Sequence, residues 1–138
     1  MAYESKATLT TKGRIYRAQE LVTGQAAIKI VGFCIGTEGY DPNDTSTALT
    51  PDPTAESLEN EIFRDAYDAV EMLNLFTPVF VCTLEETEAV GPIGEIGLVA
   101  EVVLGPDTGQ TYLHAVMHTP QFNKTSDETK TYRFVMPG

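Results

Sequence analysis

The sequence has no apolar run approaching the ~20 residues that a membrane-spanning helix needs. Its opening, Met1-Ala2-Tyr3-Glu4-Ser5-Lys6, also lacks the apolar centre of a signal peptide. A protein made and kept in a cytosol, or assembled from one, is therefore expected. Basic residues are scarce: nine Lys and Arg stand against twenty Asp and Glu, for a net charge of −11. Phosphate backbones and anionic lipid surfaces bind clustered cations, so neither nucleic acid nor a membrane is the expected partner. Cysteine occurs only as Cys34 and Cys82, each inside an apolar run, where both are expected as buried free thiols rather than as a disulfide, reactive thiols or metal ligands. Serine is limited to Ser5, Ser46, Ser57 and Ser126, none with a histidine near in sequence, and no glycine motif cradles a phosphate. No catalytic residue, cofactor or metal is expected.

What is present suits one folded domain. At 138 residues the chain can bury most of its apolar side chains without staples, and 42% hydrophobic against 21% charged residues is ordinary for a globular protein. Charge is unevenly spread. Residues 1–29 hold five bases and two acids, a net of +3, whereas residues 30–109 hold sixteen acids and Arg64 alone, a net of −15. Lys12, Arg14 and Arg17 of the basic segment are suited either to pairing with an acidic neighbour, another copy of the chain included, or to balancing local charge.

The organising stretch is Ile93–Leu104. Ile96, Leu98, Ala100, Val102 and Leu104 alternate with Glu95, Gly97, Val99, Glu101 and Val103, the period of a strand with one face on a core. Gly94 and Gly97 weaken a strand and predict a bulge or a close backbone approach. Turn-forming residues Gly105–Gly109 then lead into an antiparallel partner over Gln110–Thr119. Ahead of this hairpin, Thr10 and Thr11 are N-cap candidates for a short amphipathic helix ending before Gly24, with Ile15, Ala18 and Val22 on one face and Leu21 beside it. Ala26–Ile35 reads as a strand apolar on both faces, with the helix docked over it. Gly36–Ala55 reads as one long irregular loop, and Glu56–Val70 fits a helix or short extended pieces. Leu75–Leu84 is a strand with Phe76, Phe80, Cys82 and Leu84 on one side and Pro78 at an edge or bulge. Lys130–Met136 is the last strand. The expected fold is α+β: a short N-terminal helix packed on a mainly antiparallel β-sheet or sandwich.

Two constellations bear on chemistry. His114 and His118 lie i, i+4 on a strand, hence roughly 13 Å apart at the usual rise, too far for one metal ion. Glu38, Asp41, Asn43 and Asp44 offer oxygens to calcium but lack the glycine and closing glutamate of an EF-hand loop. A solvated loop is the plainer expectation.

Several short motifs in order carry a resemblance: Lys6-Ala7-Thr8-Leu9-Thr10-Thr11-Lys12-Gly13-Arg14, Phe33-Cys34-Ile35-Gly36, Ile93-Gly94-Glu95-Ile96-Gly97-Leu98, and Asn123-Lys124-Thr125-Ser126-Asp127 before the last strand. Together they resemble the N-terminal domain of bacteriophage tail-collar fibre and related baseplate-attached proteins. The resemblance covers nearly the whole chain and brings no catalytic residues with it. It implies a virion structural protein of tail or baseplate, an attachment module for tail fibres, assembled in a host cytoplasm with other virion proteins as a homo-oligomer, most simply a trimer. Family members usually continue into a long fibre and tip, so a chain stopping at Pro137-Gly138 resembles the attachment module alone. Tentative partner-binding residues are Lys12, Arg14, Arg17, Tyr40, Gly94 and Gly97. The alternatives are a small carbohydrate- or ligand-binding β domain using Tyr40 and an exposed edge near Tyr112 and His114, and a hydrolase with His114 as base.

Overall fold

The structure, a computed structural model, describes residues 3–75 and 77–136. Phe76, one of the residues expected on the inner side of its strand, lies outside them. Strands hold 53% of the chain and helix 10%, in sheets that are antiparallel with one exception, so the α+β expectation with one short helix holds.

Two strands, β1 (Tyr3–Lys6) and β2 (Thr8–Leu9), precede the helix α1 (Thr11–Thr23), which the sequence reading placed first. Then follow β3 (Ile28–Gly36), a small hairpin of β4 (Tyr40–Asp41) and β5 (Asp44–Ala48), β6 (Glu61–Asp65), β7 (Ala69–Asn74), β8 (Thr77–Leu84), β9 (Gly91–Val102), β10 (Thr111–Lys124) and β11 (Lys130–Val135). The strands form a sheet ordered β1-β11-β8-β7 and another ordered β2-β10-β9-β3-β6. A core of Phe33, Ile35, Ile96, Leu98, Ala115 and Met117 from the second sheet meets Phe80, Cys82, Leu84, Tyr132 and Phe134 from the first. The exception to antiparallel order is β1 on β11, where Tyr3 stands opposite Tyr132.

The expected central hairpin is β9–β10, but β9 is buried on both faces rather than one. Ile96 and Leu98 face the inter-sheet core, while Val99 joins a second cluster with Cys34, Leu58, Leu113 and Val116. The segment carrying Leu58 covers the Cys34 end of β3, while the helix covers only its start, where Tyr16 shares a cluster with Ile28 and Ile30. The predicted irregular loop is also partly ordered: Asp41-Pro42-Asn43-Asp44 turns β4 back onto β5, with the Asp41 carboxylate accepting the Asn43 N–H at 2.8 Å. Glu56–Val70 resolves as extended, containing β6 and the start of β7. Pro78 pairs with Met72 beside an irregularity between Met72 and Asn74, so it sits at a bulge of an interior strand. Both cysteines are buried and free, and burial pushes each thiol up to about 12. In the native protein a disulfide-exchange reagent at pH 8 is expected to label neither within the time that labels both in denaturant. Rapid native labelling would contradict this packing.

Gly94 stands at a bulge, since Glu95 pairs with His118 and Ile93 with Phe122, leaving it opposite residues 119–121 of β10, whereas Gly97 pairs regularly with Val116 and Cys34. The close approach expected of them is real and lies within the chain. A Cβ on Gly94 would run into the Glu38 carbonyl and the Tyr40 ring, and one on Gly97 would stand 2.5 Å from a Leu113 methyl and 2.8 Å from the Cys34 sulfur. Gly94→Ala is expected to destabilise by about 1–3 kcal/mol, by overpacking against backbone that cannot swing away. A melting temperature equal to wild type would show that this wall yields.

Candidate functional site

Thr10 starts the helix as predicted. It is extended at φ −71, ψ 165, and its hydroxyl accepts the Gly13 N–H at 3.1 Å while donating to the Leu113 carbonyl at 2.7 Å. Its own N–H donates to the His114 carbonyl at 3.0 Å, so one buried residue both caps α1 and fastens it to β10. At the other end Gly24 is left-handed, with φ 69, and its N–H closes on the Glu20 carbonyl at 2.9 Å. The Glu20 carboxylate accepts the Ala27 N–H at 2.8 Å and fixes the exit into β3.

The face that α1 turns inward is not the apolar one. Gly13 is its one buried residue, with Tyr16 and Glu20 half-buried at the following turns of the same side. A Cβ on Gly13 would stand 2.6 Å from the His114 carbonyl oxygen, so the glycine lets the helix backbone rest on the strand. Tyr16 packs on Tyr112 with ring centroids 5.1 Å apart, extending a small cluster with Ala100 and Val102. The predicted apolar face is left in solvent: Ile15 is 53% exposed, Leu21 84% and Val22 87%. Lys12, Arg14 and Arg17 are exposed beside them, with Lys12 4.0 Å from the Glu56 carboxylate. Basic and apolar groups thus share one surface.

Below its first turn α1 borders a groove of about 320 Å³, lined by Thr11, Lys12, Ile15, Ala55, Glu56 and Leu113 among others. The far wall is tied to the helix by the Thr11 N–H donating to the Pro53 carbonyl at 2.7 Å. That wall is itself held by Glu95, a carboxylate 1% exposed in the middle of β9. One oxygen accepts the Glu59 N–H at 2.8 Å; the other accepts the N–H groups of Glu38 and Asn60 at 3.2 and 3.3 Å. A single buried anion therefore joins two loops that the sequence separates. Lys124, 2% exposed, does the same for the turn before β9, donating to the Glu86 carbonyl at 2.9 Å.

The two histidines are not equivalent. His114 sits in the register shift between Leu113 and Ala115, 6% exposed, its Nδ1 hydrogen-bonded to the Tyr112 hydroxyl at 2.7 Å. Burial lowers it from its ordinary value to about 4, with Glu20 raising it and Arg17 lowering it as smaller influences. His118 instead bonds the Leu49 carbonyl through Nδ1 at 2.9 Å. No group of three or more metal-capable side chains converges among the described residues.

No family model and no curated protein matches this chain. Of the six tentative partner-binding residues, Lys12, Arg14 and Arg17 come together on the exposed helix. Tyr40 is half-buried, its ring against Gly94 and its hydroxyl accepting the Gln121 amide at 3.0 Å. Gly94 and Gly97 are interior, so the space they open is filled by this chain's own side chains. Tyr112 and His114 were expected at an exposed edge and are instead buried under α1. Among the described residues no helix is long and apolar enough to cross a membrane.

Proposed function

We propose that this chain is a non-enzymatic virion structural protein of a phage tail or baseplate, an attachment module for tail fibres that works as a homo-oligomer, with a trimer the simplest state. The observation that carries the assembly role is the helix surface, where Ile15, Leu21 and Val22 stand in solvent next to Lys12, Arg14 and Arg17. An apolar stripe of this kind, on the side of the helix away from the contacts made by Thr10, Gly13, Tyr16 and Glu20, gains free energy when a partner covers it. The tail context rests on the ordered motifs of the sequence and the resemblance they bear.

The competing readings lose support from burial. A ligand site at Tyr112 and His114 has no opening, and a general base lowered to about 4 and bonded to a tyrosine is poorly placed to take a proton at neutral pH. Particles purified from the phage that encodes this sequence are expected to contain its peptides by mass spectrometry, in a copy number divisible by three. Particles without the chain would end the structural reading.

A further inference from the structure

The sandwich has two unlike sides. The single residue Ala7 separates β1 from β2, and strand order puts these two at one margin of their sheets, with α1 following directly. The opposite margin is β7 in one sheet and β6 in the other, joined by residues 66–68. From the first margin α1 crosses the outer face of the second sheet, Gly13 and Tyr16 lying on β10 and Glu20 reaching Ala27 at the start of β3, and it leaves Leu21 and Val22 in solvent; the second margin leaves Val70, Met72 and Leu73 at 46%, 59% and 57% exposure. Their charges are opposite. Residues 1–29 carry a net of +3, whereas residues 59–75 hold five acids against Arg64, a net of −4. Glu61 and Glu71 are bridged within the chain by Arg64 and Arg133, while Asp65 and Asp68 are exposed at the turn between β6 and β7.

We infer that copies of this chain associate head to tail, the basic α1 side of one seated on the acidic β6/β7 side of the next. The inference rests on the assembly reading above and names its surfaces. The two patches are unlike surfaces, α1 over the outer face of the second sheet and β7 at the free edge of the first, so each copy offers one to one neighbour and the other to the next. The contact is heterologous and must close into a ring or run on as a filament; a closed ring agrees with the trimer proposed above. Exposed strand β7, with apolar side chains and a pairing margin, is the kind of edge that a solitary protein would blunt and an assembling one retains.

The test uses two full-length variants whose replaced side chains are all exposed, so their melting temperatures should match wild type. Leu21→Asp with Val22→Asp spoils the α1 side, and Met72→Lys with Leu73→Lys spoils the β7 side. By light scattering after size exclusion, wild type is expected as a discrete oligomer that weakens as salt rises. Each variant alone should run at the 15.0 kDa monomer mass, its association weakened roughly tenfold or more. Mixed one to one, they should form a species of twice that mass and nothing larger, since each supplies the one surface the other lacks. Arg14→Glu with Arg17→Glu should behave like the first variant if charge steers the contact. A monomeric wild type, variants that keep the wild-type mass, or a mixture that stays monomeric would each overturn the head-to-tail contact. A mixture that pairs as expected while the chain is missing from purified particles would instead sink the virion reading and leave this contact standing.

Discussion

Glu95→Ala is expected to cost about 4 kcal/mol, lowering the melting temperature by roughly 12 °C for a chain of this size. The carboxylate accepts three backbone N–H groups from two loops, and removing it leaves those donors to whatever water reaches a cavity of about 170 Å³ at the site. Glu95→Gln is the sharper test, because size is kept. Donors approach both oxygens, so an amide must aim its own NH₂ at a donor on one side, and a loss of about 2–3 kcal/mol is expected. Hydrogen exchange should quicken at Glu38, Glu59 and Asn60 ahead of the core amides. The wall of the helix groove would loosen with them, since Pro53, Ala55 and Glu56 lie just upstream of Glu59. A Gln variant as stable as wild type would show that the loops are held by something else.

Acid is expected to weaken the fold through His114. Its folded value of about 4 lies below the ordinary 6.5, so between these limits the unfolded chain binds a proton that the folded chain refuses. The neutral form's stability is complete above about pH 6.5, falls as pH drops, and levels off below about 4. The total loss is on the order of 3 kcal/mol. Carboxylates contribute below pH 5, so the measurement is a difference: urea midpoints from pH 7.5 to 4.5 for wild type and for His114→Gln. The variant should lose the decline between pH 6.5 and 5. Parallel curves would mean that His114 takes up its proton without disturbing Tyr112 or the first turn of α1.

The helix was legible in its ends and illegible in its orientation. Thr10 and Gly24 announce the caps by residue type, because a hydroxyl acceptor and a left-handed backbone are local needs. Which side faces the sheet is decided by Gly13, whose value lies in having no side chain, and such a residue leaves no mark in hydrophobic periodicity. Periodicity therefore pointed to Ile15, Ala18 and Val22, the side left in solvent. The β9–β10 hairpin was read correctly because alternation and a five-residue turn are both local. Glu95 was read as a solvent-side position of its strand, since the three N–H groups that make its burial tolerable come from residues 35 to 57 positions away. The β4–β5 turn did carry a signal, Pro42-Asn43 between two aspartates, that the length of the polar stretch obscured. No local pattern announces β1, since its partner β11 begins some 125 residues later.

That last pairing sets a schedule. The sheet that opens with Tyr3–Lys6 is completed only by Lys130–Val135, so a growing polypeptide cannot finish it until synthesis has passed the final strand. Folding dominated by such distant partners is slow, because a long loop must close before its contacts repay the lost entropy. The stretch in between includes the apolar β7 strand and the sticky helix side, both made early. Until Lys130–Val135 is made, those surfaces stand open on an unfinished body whose acidic charge, sixteen acids against Arg64 over residues 30–109, opposes contact between like copies.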